Sequence, residues 1–185
     1  MDKRIFQQIG ATMLIGRFLC SLALVTAGCL ASLTAQAQTA KAPLKDASGK
    51  DVGRVDFLQT PHGVLLKVSL KGAPLGERAF HIHAVGKCEP PFTSAGPHFN
   101  PASHKHGLEA KEGAHAGDMP NLHIPANGEL VIEIANPMIS LIKGQPNSLF
   151  DADGSAIVIH AGVDDYKTDP AGNAGDRIVC GVVVE

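Results

Sequence analysis

The chain has 185 residues, 44% of them apolar, with 16 Lys and Arg against 18 Asp and Glu and a formal net charge of −2. That length suits one domain with a sizeable core. The slightly acidic balance gives no basis for nucleic-acid binding.

Residues 1–37 read as an export leader. Lys3, Arg4 and Arg17 precede an apolar run from Phe18 to Leu33, and Ala35-Gln36-Ala37 has the small-x-small form of a cleavage site. The mature chain is therefore predicted to begin near Gln38. The approach to the apolar run is long, and Met13 offers a second start. A membrane span fits less well, because the run contains Ser, Thr and Gly and no positive stop follows it. Lipoprotein anchoring at Cys29 is the minor alternative, since Thr26 stands where a larger aliphatic residue is favoured. Cleavage would move the net charge from −2 to −4 and leave Cys88 and Cys180 as the remaining cysteines. An exported protein with one cysteine pair is the setting for a structural disulfide.

Residues 38–50 are polar, with Ala and Lys and no aromatic residue, and are predicted to be a loose N-terminal arm. The folded domain is expected over 51–185. Val52 to Gln59 and the run V-L-L-K-V-S-L from Val64 flank T-P-H-G, which reads as a hairpin with His62 as a solvated turn residue. A third strand is F-H-I-H, Phe80 to His83. Side chains alternate along a strand, so His81 and His83 share one face while Phe80 and Ile82 enter a core.

From Val85 to Leu122 there is almost no sustained apolar periodicity. Strand signals return over Leu122 to Ile134 around the hairpin pair Asn127-Gly128, over Ala156 to His160 after Asp153-Gly154, and over Arg177 to Val184. The segment between His160 and Arg177 is again aperiodic. Short strands, turn signals and no amphipathic helix predict an all-β sandwich or barrel with two long loops. Loops of that length in a compact domain are functional or disordered, and bound metal can hold one without a core of its own.

H-x-H alone is a weak signal. His98, His106, His115 and Asp118 strengthen it, because three imidazoles and a carboxylate complete a closed tetrahedral zinc shell. His160 ends the apolar run A-I-V-I-H. These seven residues make two sites of four ligands when one ligand is shared.

F-H-I-H, G-P-H-F-N-P, K-H-G, H-A-G-D, V-I-H-A-G and R-I-V-C-G follow one another between Val52 and Val184. In that order the chain resembles the copper/zinc superoxide dismutases of the bacterial secreted type. The resemblance implies a flattened eight-stranded Greek-key β-barrel, related to the immunoglobulin-like sandwich, with two long functional loops. It implies one copper per subunit on His81, His83, His98 and His160, and one zinc on His98, His106, His115 and Asp118, with His98 bridging. It further implies a Cys88–Cys180 disulfide, Asp164 linking His81 to His106, and Arg177 facing an anionic substrate. The implied reaction turns superoxide into dioxygen and hydrogen peroxide by alternating Cu(II)/Cu(I) redox, with His98 delivering a proton.

The implied location is the periplasm, with no nucleic-acid partner and no stable membrane insertion after cleavage. Assembly is left open between monomer and homodimer. A non-catalytic periplasmic carrier or chaperone is the rival reading, but such a protein is expected to lack copper ligands or the guanidinium. A zinc hydrolase would need an open zinc position and a nearby Glu base, and no Glu pairs recognisably with the ligands. His104 departs from the family pattern, and neither it nor His123 is expected to be a ligand. Tyr166 and Lys167 are candidates for steering substrate. Asp165 is the competing acid beside Asp164.

Overall fold

The computed structural model describes residues 37–185. Apart from Ala37, the predicted leader and its alternatives at Met13 and Cys29 lie outside the described residues. The strands are β1 (Thr39–Asp46), β2 (Asp51–Thr60), β3 (Gly63–Lys71), β4 (Gly76–Arg78), β5 (Phe80–His83), β6 (Leu122–Ile124), β7 (Glu129–Asn136), β8 (Ala156–His160) and β9 (Arg177–Val182). No α-helix occurs among the described residues, and one 3-10 turn covers Thr93–Ala95.

Alternation writes the sheet. Along β3, Val64, Leu66, Val68 and Leu70 are buried while Lys67 and Lys71 are exposed. β3 pairs antiparallel with β2 through Val55↔Val68 and with β7 through Val68↔Ile132. The seven-stranded sheet runs in the order β5-β8-β9-β1-β2-β3-β7, and β4 pairs with β6. Ala79 alone separates β4 from β5; its N–H donates to Gly162 O and its carbonyl accepts from His160 N–H. Counted as one strand, β4 and β5 bring the total to eight. The turn that closes with Gly128 N–H on Pro125 O carries β6 into β7, so the curled sheet meets itself as a barrel. Neighbours β3/β7, β5/β8 and β9/β1 are distant in sequence, which is the Greek-key pattern.

The core holds Phe57, Leu66, Phe80, Ile82, Ile157 and Ile159 at 2% exposure or less. Burial of each such side chain stabilises the fold by roughly 1.5–3 kcal/mol. A smaller cluster of Phe92, Ala95, Ala156, Val158 and Cys180 packs the loop after β5 against β8 and β9. Cys88 and Cys180 are disulfide-bonded with their Cα atoms 5.6 Å apart, tying that loop to β9.

The expectation of a loose arm over 38–50 is corrected. Thr39 to Asp46 form β1, paired with β2 along nearly its whole length and with β9 through Lys45↔Cys180. Its buried residues are Ala40, Ala42 and Leu44, so the alternation is present but carried mostly by alanine. At the other end, β9 stops at Val182, and Val184 makes only an isolated bridge to Lys41.

Candidate metal centre

β5 places His81 and His83 on the face opposite Phe80 and Ile82, and all four side chains are fully buried. Two segments of the first long loop cross above them, in bridges His83↔His98 and His81↔Asp118. β8 adds His160, since β5 and β8 pair through His81↔Val158. The nitrogens of His81, His83, His98 and His160 lie within 4.8 Å of one another, as do the ligand atoms of His98, His106, His115 and Asp118. His98 belongs to both groups.

The ring tautomers follow from the hydrogen bonds, because a neutral imidazole carries one N–H. His83 Nδ1 donates to Gly96 O at 2.8 Å and His160 Nδ1 donates to Gly175 O at 3.1 Å. Their Nε2 atoms are then bare lone pairs, and they face each other at 3.4 Å. Two lone pairs at that separation repel unless a cation stands between them. His81 Nε2 donates to Asp164 Oδ2 at 2.7 Å, which leaves Nδ1 bare, and that atom is buried with no partner. His98 Nε2 is likewise buried and unpartnered. Orphaned buried nitrogens are costly and call for a missing partner. Four inward nitrogens therefore fit a copper ion, which imidazole binds in both oxidation states.

The second group repeats the logic. His106 Nε2 donates to Asp164 Oδ1 at 2.9 Å, which leaves Nδ1 to face Asp118 Oδ1 at 3.1 Å. His98 Nδ1 lies 2.8 Å and His115 Nδ1 3.3 Å from the same oxygen. Three ring nitrogens converging on one carboxylate oxygen fit a zinc ion. Asp118 is itself held by its second oxygen, which accepts N–H from Gly107 at 2.9 Å and His115 at 3.0 Å.

Electrostatics separates the two halves. Burial, together with the neighbouring His98, pushes His83 down to about 2, and burial pushes His81 to about 4 and His160 to about 3. These rings stay neutral, as ligands must. At His106 burial opposes the charge, but hydrogen bonds to Asp118 and Asp164 override it and raise the ring to about 9. That position favours a cation at Nδ1, whether a proton or a metal. Burial also opposes charge on Asp118 and Asp164, yet hydrogen bonds from His106 hold both well below the usual carboxylate range, aided by His98 at Asp118 and His81 at Asp164.

Arg177, the first residue of β9, is half-buried and donates to Phe92 O and Gly96 O, each at 2.8 Å. Gly96 O thus receives both the guanidinium and His83. A cleft of about 500 Å³ opens there, lined by Pro91, Thr93, Gly175, Asp176, Arg177 and Ile178. Gly175 in its wall is the residue whose carbonyl holds His160.

The family model for copper/zinc superoxide dismutase matches residues 52–183. The chain belongs to the copper/zinc superoxide dismutase family. It is 51% identical over 151 residues to superoxide dismutase [Cu-Zn] 1 of Aquifex aeolicus, covering 80% of this chain and 89% of that protein. With superoxide dismutase [Cu-Zn] of Caulobacter vibrioides it shares 46% over 149 residues, covering 78% and 85%. The crystal structure of a SOD-like protein from Bacillus subtilis matches with a TM-score of 0.74 at 39% identity, covering 77% of this chain and 96% of that one. Copper and zinc are the cofactors of this family, and the two side-chain groups fit them.

Every candidate ligand read from the sequence falls in one of the two groups, and Asp164 touches a ring of each. His104 does not: its Nδ1 bonds Ala114 O at 3.0 Å and its backbone pairs with the Asn100 amide. His123 is exposed beside Glu77, and His62 is exposed in the β2–β3 turn. Asp165 caps its own loop through Thr168 and Asn173. Lys167 pairs with Glu109 at 2.8 Å. The carbonyls of Gly96 and Gly175, which set two tautomers, were not legible as site atoms, because every residue has a carbonyl. Gly172 is another: at φ +64° it lies over the Asp164–His106 bond, where a Cβ would overlap Asp164 Oδ1 and lie 2.6 Å from His106 Nε2.

Proposed function

We propose that this family member is an exported superoxide dismutase with copper held by His81, His83, His98 and His160 and zinc by His98, His106, His115 and Asp118. The observation that carries the reading is the His98 ring. Its Nδ1 faces the Asp118 group while its Nε2 is buried, unpartnered and among the other three copper-candidate rings.

Bound copper supplies one-electron exchange, so that one superoxide leaves as dioxygen and a second as hydrogen peroxide. The chain's own residues do the rest. Zinc at its four ligands would leave no position open for water and would hold His98 and the first long loop. His98 Nε2 would take up one proton and deliver it, and solvent would supply the second of the two protons that hydrogen peroxide needs. Arg177, pinned by two carbonyls, aims a fixed fork of donors at an anion in the cleft. With an acidic chain overall, local charge at Arg177 and the metals attracts superoxide.

The rival reading, a metal carrier without catalysis, would be favoured by loss of a copper ligand or of Arg177, and both are present. The leader over 1–37 and the periplasm as destination belong to the same proposal. No helix among the described residues is long and apolar enough to cross a membrane. Metal analysis of the secreted protein together with a superoxide-decay assay tests the reading. Equal copper and zinc with fast decay is the expected result; metal-loaded protein without activity would favour the carrier. Mass spectrometry of the secreted chain should place its first residue near Gln38.

A further inference from the structure

Asp164 must hold one orientation to serve His81 and His106 together, yet it lies in a loop with no strand to fix it. What fixes it is Asn121, three residues after Asp118 and only 6% exposed. Asn121 Oδ1 accepts Asp164 N–H at 2.9 Å, and its Nδ2 donates to Asp164 O at 3.0 Å. The side-chain amide acts as a one-residue strand neighbour, gripping the peptide groups on either side of Asp164.

Asn121 is held in turn by Tyr166. Its backbone N–H donates to the Tyr166 phenol oxygen at 2.7 Å. Tyr166 N–H donates to Asp164 Oδ1 at 2.7 Å, and Tyr166 O accepts Glu109 N–H at 3.1 Å. Tyr166 has φ 60°, a left-handed conformation that a bulky residue keeps only when its surroundings over-determine it. The circuit joins the segment carrying Asp118 to the loop carrying Asp164. The hydrogen bonds of Asn121 and Tyr166 run to Asp164, to Glu109 and to each other, not to the rings of the two ligand groups.

We propose that Asn121 and Tyr166 are positioning residues of the metal centre, fixing the Asp164 carboxylate and through it the nitrogens that His81 and His106 present. This assigns Tyr166 to building the site rather than to steering substrate. A carboxylate that drifts releases both N–H groups, and each ring can then turn a protonated nitrogen inward, where no metal binds. The inference rests on the ligand assignment proposed above. A wild-type protein that fails to bind both metals would overturn that assignment, whereas intact wild-type binding with unaffected variants overturns only the positioning role.

The test is a double-mutant cycle on the mature chain loaded with copper and zinc, comparing N121A, D164A and N121A/D164A. Zinc affinity is read by competition with a chromophoric chelator, and the copper geometry by the Cu(II) absorption and paramagnetic resonance spectra. N121A should weaken zinc by about 10- to 100-fold, the range for groups that orient ligands, and should shift the Cu(II) spectra. The double variant should match D164A alone, because Asn121 acts through Asp164. Y166F should shift both readouts in the same direction by less. Additive losses in the double variant, or unchanged zinc affinity and spectra alongside a lower melting temperature, would overturn the proposal. If N121A does not fold, the cycle of Y166F with D164A decides by the same criterion.

Discussion

Arg177→Ala removes a guanidinium without removing a ligand, so it separates attraction of the substrate from assembly of the site. The carbonyls it leaves are not orphaned: Gly96 O keeps the His83 Nδ1–H at 2.8 Å and Phe92 O keeps the Ala95 N–H at 3.2 Å. The fold and both metals should survive. For an anion about 5 Å away at a half-buried charge, an effective dielectric constant of about 20 gives roughly 3 kcal/mol, or some two decades in rate. Full exposure to water would reduce this to about 0.8 kcal/mol, near fourfold. A loss of about 10- to 100-fold in kcat/KM at low ionic strength is therefore expected, shrinking as salt is added. Arg177→Lys should recover part of it, keeping the charge but not the two-carbonyl grip. The assay is pulse-radiolytic decay of superoxide across ionic strengths, with metal content measured on the same samples. A loss below twofold with both metals retained would refute the steering argument. Loss of copper would instead mean that Arg177 holds the site together.

Gly172→Ala should loosen both metals, because the new methyl meets the Asp164–His106 bond and φ +64° disfavours a side chain; chelator competition checks this, and wild-type affinity would contradict it. Opening the Cys88–Cys180 bond, which spans 92 residues of sequence, should cost about 4–5 kcal/mol by the loop-entropy model, read as a shift in denaturant midpoint with and without reductant. In the metal-free protein, His81, His83 and His160 are held below their ordinary value of 6.5, so the unfolded chain binds protons that the native chain refuses as pH falls from about 6.5 towards 4. His106, raised to about 9, contributes stability below 6.5 that is lost as pH rises through 9. Denaturation of the metal-free chain should therefore be hardest near pH 6.5, and a flat profile from 4 to 9 would refute this sign.

The candidate site was easier to read from the sequence than the strands. His81 and His83 were readable because a period of two puts them on one face, and Asp118 because its loop has no other reason to group a carboxylate with imidazoles. β1 was hidden by its composition: Ala40 and Ala42 carry too little apolar signal to register as alternation, although both are buried. β4, three residues of Gly-Glu-Arg, has no pattern long enough to read. Asn121 looked like any polar loop residue, since its role depends on meeting Asp164 43 positions away. Interactions made by carbonyls and amides leave little trace in residue type, whereas metal ligands must be particular side chains.

The central claim is that the His98 ring stands between two different ions. Anomalous diffraction from crystals of the copper- and zinc-loaded mature protein, recorded at both absorption edges, addresses it directly. Copper at His98 Nε2 and zinc at His98 Nδ1 is the predicted result. A single element in both positions, or a ring turned away from either, would contradict the account.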